Sequence, residues 1–387
     1  MSNSMGRDVV IVGGGVMGLS IALCLAREGC GVVLLERNHL GSGSTGKSGA
    51  ILRQHYSLPL TATMARESLD VFSNFEEWTE GGSAGFVRSG MVLLVGPDDV
   101  ANLNRNLELQ RSVGIRTELV DNADISRILP HVEPGDSVAC YEEDAGYADP
   151  VMTVHTLAKC VRGLGVEIHE GLEVTGFVVT DSKVTGVSTS EGEYGAQTVV
   201  VAAGAWADAL LKDVGWSSSV QPMRVQSAVF RRPPELPGGP TVIDFPNEMY
   251  AKQAGETHVG SILPSEASPT DPDAYDEGVE GRYVRLALGR VSARFPAMSK
   301  SISFGGYGAL YAVTPDWHPV VGEVGLEGLY LCAGFSGHGF KLAPSIAATV
   351  AAEVVGKKPP HDFAILRPDR FTTGTHIETR YAYSILG

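Results

Sequence analysis

Gly13, Gly15 and Gly18 stand in the spacing G-x-G-x-x-G directly after the apolar run Val9–Val12, and Glu36 closes a second apolar run, Gly31–Leu35. Residues of these types at this spacing hold a dinucleotide. Gly13 permits the tight turn, Gly15 lets backbone amides approach a pyrophosphate, and Gly18 lets helix and strand pack closely. Val16 and Met17 lie between Gly15 and Gly18, just before the helix Leu19–Arg27, whose positive end meets the diphosphate. Glu36, followed by Arg37, would accept a hydrogen bond from a ribose 2′-OH and repel a 2′-phosphate. That favours FAD or NAD over NADP.

Three further stretches carry chemistry. Gly41–Ala50 is a loop of small and hydroxyl residues, in which Ser44, Thr45, Ser48 and Gly49 offer a second contact surface for phosphate and flavin. Arg53 follows it between apolar neighbours, where an unpaired cation is costly. It pairs with a protein carboxylate or it receives an anionic ligand. Thr198–Ala207 is another strand running into a glycine turn, with Ala203, Gly204 and Trp206 at the turn and Val174 placed to pack on an adenine face. Gly328–Lys341 repeats the pattern late in the chain: a strand, a turn through Gly334, Gly337, His338, Gly339 and Phe340, then Lys341 at the start of a helix, Leu342–Val355. A helix N-terminus there stabilises negative charge on a reduced flavin, which moves the cofactor reading from NAD to FAD. A lysine at a positive helix end is electrostatically misplaced unless an anion joins it. His338 fits a hydrogen-bonded structural role as well as a catalytic one.

These stretches need elements to position them. A chain of 387 residues holds two domains, or one large α/β unit with insertions. Apolar periodicity predicts a helix over 60–80, a hairpin over 85–95, a helix then a strand over 98–121, a helix over 151–164 and strands over 166–169, 174–179, 183–189 and 198–201. Residues 220–315 are rich in strand formers and proline, with an acidic loop near Asp271–Glu280. They read as a mainly antiparallel sheet covered by a helix over Arg282–Arg294. The dinucleotide-binding domain is therefore discontinuous (1–84, 145–220 and 316–370). The substrate or cap domain comprises 85–144 and 221–315, and 371–387 forms a weakly patterned tail.

The net charge of −15 argues against nucleic acid or an anionic membrane as partner. Five dispersed cysteines without C-x-x-C read as free thiols in a reducing compartment, with no metal site expected. Met1–Arg7 leads straight into the first strand, leaving no room for a signal peptide, and no apolar run reaches membrane-spanning length. The expected location is cytoplasmic.

Taken in order, the Gly13/Gly15/Gly18 fingerprint with Glu36, the Ser/Gly loop with Arg53, Val200–Trp206, Thr314-Pro-Asp316 and Gly334–Lys341 resemble the D-amino-acid oxidase superfamily of FAD-dependent amine oxidoreductases. Within it the likeness is to sarcosine oxidase and dimethylglycine dehydrogenase. The resemblance spans nearly the whole chain. It implies an α/β fold: a Rossmann-like, glutathione-reductase-like FAD-binding domain with a second, mainly antiparallel substrate domain. It also implies that Arg53 and Lys341 bind the substrate carboxylate above the flavin, and that Tyr250 forms an aromatic wall of that pocket. The cysteine that carries the flavin in monomeric sarcosine oxidase is matched by Ala309, and the flavin-bearing histidine of dimethylglycine dehydrogenase by Lys47. Non-covalent FAD is therefore expected. The lysine that assists oxygen reduction in sarcosine oxidase falls near His258. The carboxylate-binding arginine of glycine oxidase and D-amino-acid oxidase has no match in Gly308–Tyr311. Gly46–Pro59 also resembles a mitochondrial FAD-dependent oxidoreductase-domain protein tied to respiratory complex assembly.

The expected activity is oxidation of a small amino acid, a secondary or N-methyl amine, by hydride transfer to flavin N5 and imine hydrolysis, with O2 as acceptor. The alternatives are a proline- or D-amino-acid-type dehydrogenase that passes electrons to a quinone or partner subunit, and a flavin-bearing assembly factor. Tyr311, His318 and His55 are weaker catalytic candidates.

Overall fold

A computed structural model describes residues 8–381. The reading of Met1–Arg7 and the last six residues of the tail lie outside them.

The strand Val9–Val12 is the centre of the architecture. It pairs in parallel with Thr198–Val201 on one side and Val32–Glu36 on the other. The sheet runs in the order Val320–Glu323, Leu329–Ala333, Thr198–Val201, Val9–Val12, Val32–Glu36, Glu167–Glu170, and only Val320–Glu323 is antiparallel to its neighbour. All four residues of Val9–Val12 are buried, as a parallel strand covered on both faces requires. Val9 and Ile11 pack among helices, while Val10 and Val12 pack toward a three-stranded antiparallel sheet of Val174–Thr180, Lys183–Thr189 and Gly192–Gly195. The helix Val16–Arg27 lies against Gly339–Val354 and Pro150–Gly163. Neighbours run to both sides of the central strand, so its carboxyl end opens on the crevice where open α/β sheets bind ligands.

A second sheet is built from residues 91–142 and 221–313. Its path is Ser268–Pro269, Gln221–Arg231, Thr257–Ser261, Met249–Gln253, Thr241–Asp244, Met91–Val95, Val138–Glu142 and Glu118–Val120, with Ile302–Val313 also paired to Gln221–Arg231. It is antiparallel except where Thr241–Asp244 runs parallel to Met91–Val95. The helix Gly281–Arg294 covers one face through Tyr283, Ala287 and Val291. Arg294 anchors it by a forked pair to buried Asp244, at 2.6 and 3.0 Å. We propose the domain division expected from sequence on the basis of these two sheets.

Several expectations are corrected. Residues 85–95 form no hairpin: Met91–Val95 is a single strand whose partners are Val138–Glu142 and Thr241–Asp244, and Val87 only bridges to Tyr147. The helix over 60–80 is two, Pro59–Ser73 and Phe75–Trp78, divided at Asn74. The helices at the two glycine turns begin earlier, at Val16 and Gly339, so Met17, Gly18, Phe340 and Lys341 belong to first turns. The chain beyond Thr372 is tied down as far as it is described. Ile377 N–H donates to Asp316 at 3.2 Å, and the Tyr381 hydroxyl lies 3.1 Å from His55 Nε2.

Candidate functional site

A cavity of roughly 760 Å³ runs from the glycine turn after the central strand to the inner face of the second sheet. That size suits a large organic ligand. Of the cofactor-binding residues expected from sequence, Gly13, Gly15, Val16, Met17, Glu36, Arg37, Ser44, Thr45, Ser48, Gly49, Val174, Ala203, Gly204, Trp206, Gly337, His338, Gly339, Phe340 and Lys341 line it. Gly18 and Gly334 do not. Gly18 serves packing: a Cβ there would sit 2.0 Å from the carbonyl oxygen of Gly13, so helix and turn could not approach as they do. Gly334 packs against Thr314. Arg53 and Tyr250 line the cavity, and His258 does not. His258 instead lies edge-on to Tyr307, 6.4 Å away, and burial lowers its pKa to about 4.

At the dinucleotide end the work is done by backbone and small side chains. The Glu36 carboxylate is held by N–H donors from Gly14 at 2.7 Å and Asn38 at 2.9 Å, which leaves lone pairs on both oxygens. The helix Val16–Arg27 starts at Gly15 without an acid in its first turn, and Val16 N–H donates to the Thr45 hydroxyl at 3.1 Å. The second helix, Gly339–Val354, likewise has no acid in its first turn and no side-chain cap. Two positive helix ends therefore meet one cavity with no protein carboxylate in either first turn.

The other end of the cavity is made of buried and half-buried side chains. Arg53 donates to the His55 carbonyl and stacks on Tyr56, 4.4 Å from the ring centre. Lys341 is buried, and its only hydrogen bond among the described residues is a long one, 3.4 Å, to the Gly337 carbonyl. Burial first, and Arg53 second, hold its pKa well below the usual lysine value. An arriving anion would restore its charge. Tyr250, Tyr307 and Tyr311 complete the walls. Gly337 (φ +91°) makes room for Tyr311, whose ring a Cβ would approach to 2.7 Å. The Tyr56 hydroxyl lies 3.1 Å from His338 Nδ1, and burial keeps that phenol protonated and the imidazole neutral. His338 Nε2 is left buried without a partner among the described residues, at the cavity wall.

Sequence reasoning missed a strap. The loop carrying Asp273, Tyr275 and Glu277 crosses from the second sheet to the cofactor cleft. Asp273 pairs with Arg37 and accepts from Trp206 Nε1 at 2.8 Å, and Arg37 stacks on Trp206. Lys47 donates to the Tyr275 hydroxyl at 2.6 Å and pairs with Glu277 at 3.0 Å. The acidic composition of 271–280 was visible, but its partners were not. Cys332 also lines the cavity, and burial raises its thiol pKa, so it remains protonated.

The residues present fit FAD. The cleft offers glycine turns, helix ends without acids in their first turns and an oriented acid at one end, and the same cavity continues past the second helix end to Arg53 and Lys341. Among the described residues no group of His, Cys, Asp or Glu could hold a metal ion, and no helix is long and apolar enough to cross a membrane.

Known proteins agree with this geometry. Sarcosine oxidase subunit beta of an Arthrobacter species is 26% identical over 98% of this chain and 94% of its own. The FAD-dependent oxidoreductase domain-containing protein 1 of Bos taurus is 30% identical over 90% and 81%. The crystal structure of L-proline dehydrogenase from P. horikoshii superposes with a TM-score of 0.89 at 26% identity, covering 96% of this chain and 99% of that one. The sequence profile of the FAD dependent oxidoreductase (DAO) family matches residues 8–353, and the chain belongs to that family of FAD-dependent enzymes.

Proposed function

We propose that the protein oxidises a small amino acid whose nitrogen is secondary or N-methylated, with non-covalent FAD. The observation that carries this reading is the pair of buried cations, Arg53 and Lys341, lining the same cavity as the dinucleotide turn. A small zwitterion needs such a pair to fix its carboxylate and so present one C–H bond in one orientation. When bound, FAD supplies a two-electron acceptor at N5 for a hydride from the α- or N-methyl carbon of a neutral amine, leaving an imine that water hydrolyses.

The chain's residues bind, orient and exclude water. Arg53 offers a planar fork to the carboxylate, and its stack on Tyr56 fixes the plane of that fork. Lys341 contributes a point charge from the first turn of its helix, where the helix end adds to the attraction. Tyr250, Tyr307 and Tyr311 give the amine end an apolar surround with hydroxyl edges. Burial holds the phenol pKa of Tyr250 well above its ordinary value, so it acts as a wall and donor and not as a base. No side-chain base is needed when the amine binds deprotonated. Protonated Cys332 and the alanine at position 309 support the non-covalent reading.

Placement of His258 outside the cavity lining favours a second reading for the acceptor, a dehydrogenase that delivers electrons to a quinone or partner protein. The similarity to an L-proline dehydrogenase supports it. Anaerobic mixing with sarcosine, proline and primary amino acids, followed by flavin absorbance, tests the substrate class. Bleaching by sarcosine or proline supports it; bleaching by dithionite alone contradicts it. Readmitted air reoxidises an oxidase quickly and a dehydrogenase slowly.

A further inference from the structure

Behind the Arg53 clamp lies a carboxylate that the proposed mechanism does not use. Glu142 ends the strand Val138–Glu142 opposite Met91 and is fully buried. One oxygen accepts from Gln54 N–H at 2.8 Å, one residue along the chain from Arg53; the other oxygen is buried with no hydrogen-bond partner among the described residues. A buried carboxylate left half satisfied is poorly stabilised as an anion, and among the described residues the cation that acts on it is Arg53, the group that would receive the substrate.

We propose that Glu142 is a positioning residue that sets the effective charge of the Arg53 clamp, taking up a proton when a substrate carboxylate arrives. This rests on the reading of Arg53 as a carboxylate ligand. Ionised Glu142 offsets part of the Arg53 charge and weakens its pull on an anion. Protonated Glu142 removes that offset. Linkage makes the effect reciprocal: the bound carboxylate offsets Arg53 in its turn, so Glu142 holds its proton more tightly.

The surrounding groups leave Glu142 free to play this part. Burial is the main cause that pushes its pKa up to about 7; Gln54 N–H and Arg53 lower it, and Asp144 raises it. On its own strand the Cys140 thiol stays protonated through burial. On the segment beside Arg53, His55 is neutral, its pKa lowered to about 3 by burial and then Arg53, and the Tyr56 phenol is protonated. Across the cavity Lys341 also feels Arg53, and its recharging by an anion is a second route that ties binding to protons.

Propionate, an unreactive carboxylate ionised throughout, separates these cases when titrated into the FAD-loaded protein between pH 6 and 8 and followed by flavin absorbance. In the wild type the Kd rises about fivefold over that range, the effect of a one-unit shift about a midpoint near 7. In Glu142→Gln that slope falls by at least about half, and what remains is proton uptake by Lys341. A second readout needs no variant: at pH 7, binding of 13C-propionate produces a new protonated-carboxyl band from the protein in the infrared difference spectrum. A wild-type Kd independent of pH, the full slope retained in Glu142→Gln, or absence of that band each overturns the proposal while leaving the clamp standing. Failure of propionate to bind at any pH overturns the clamp itself, and this inference with it.

Discussion

At the dinucleotide end of the cavity, contacts come from backbone N–H groups, glycines and small hydroxyls in short local motifs. At the other end they come from buried Arg53 and Lys341 and three half-buried tyrosines, carried by segments far apart in sequence. The first end uses helix dipoles, and the charges of its strap are paired, Arg37 with Asp273 and Lys47 with Glu277. The second concentrates charge where water is excluded, so its groups have displaced proton affinities. Binding a cofactor that every turnover shares demands shape. Selecting and orienting one small zwitterion demands charge held out of water, and the family fold supplies both in one cleft.

Substitutions should divide along the same line. The largest effect is expected at Gly18→Val, where any Cβ meets the Gly13 carbonyl at 2.0 Å; the variant should purify colourless or fail to fold. Flavin content per protein is the measurement. Next, Lys341→Met should keep its flavin yet lose roughly 100-fold or more in the rate of bleaching by substrate, about 3 kcal/mol for a lost charge-assisted contact. A colourless Lys341→Met would blur the contrast between the two ends.

A third test uses acid. His55 is buried and neutral with a pKa of about 3, against an ordinary value of 6.5. The unfolded chain therefore binds more protons between those values, and stability should fall as pH drops from about 6.5 toward 3. Thermal unfolding across that range should be less steep in His55→Gln. The smallest effect belongs to the strap. Asp273 is largely exposed, so Asp273→Asn should raise the FAD off-rate by less than about tenfold, and added salt should narrow the gap from wild type. Loss of all flavin in Asp273→Asn would move the strap from trimming cofactor affinity to forming the site.

How far each region could be read from sequence follows from the same contrast. The glycine turns were legible because strand, turn and helix are consecutive, and the spacing of Gly13, Gly15 and Gly18 carries its own geometry. The strand at Met91–Val95 was misread because its partners at 138–142 and 241–244 are distant, and no local pattern distinguishes a hairpin from a central strand. The strap was hidden for a related reason: Asp273 meets Arg37 across 236 positions. Arg53 and Lys341 stood out by being cations in unsuitable places. Glu142 gave no such signal, since a glutamate followed by Glu143 and Asp144 looks like a solvated turn until the sheet buries it.

The most direct test of the clamp compares each amino acid with the same amine lacking its carboxylate: sarcosine against dimethylamine, and proline against pyrrolidine, by anaerobic flavin bleaching in the wild type, Arg53→Ala and Lys341→Ala. Removing the carboxylate should slow the wild type by about 100-fold or more, and the ratio should collapse toward unity in both variants. Equal rates for amino acid and bare amine in the wild type would contradict the clamp reading.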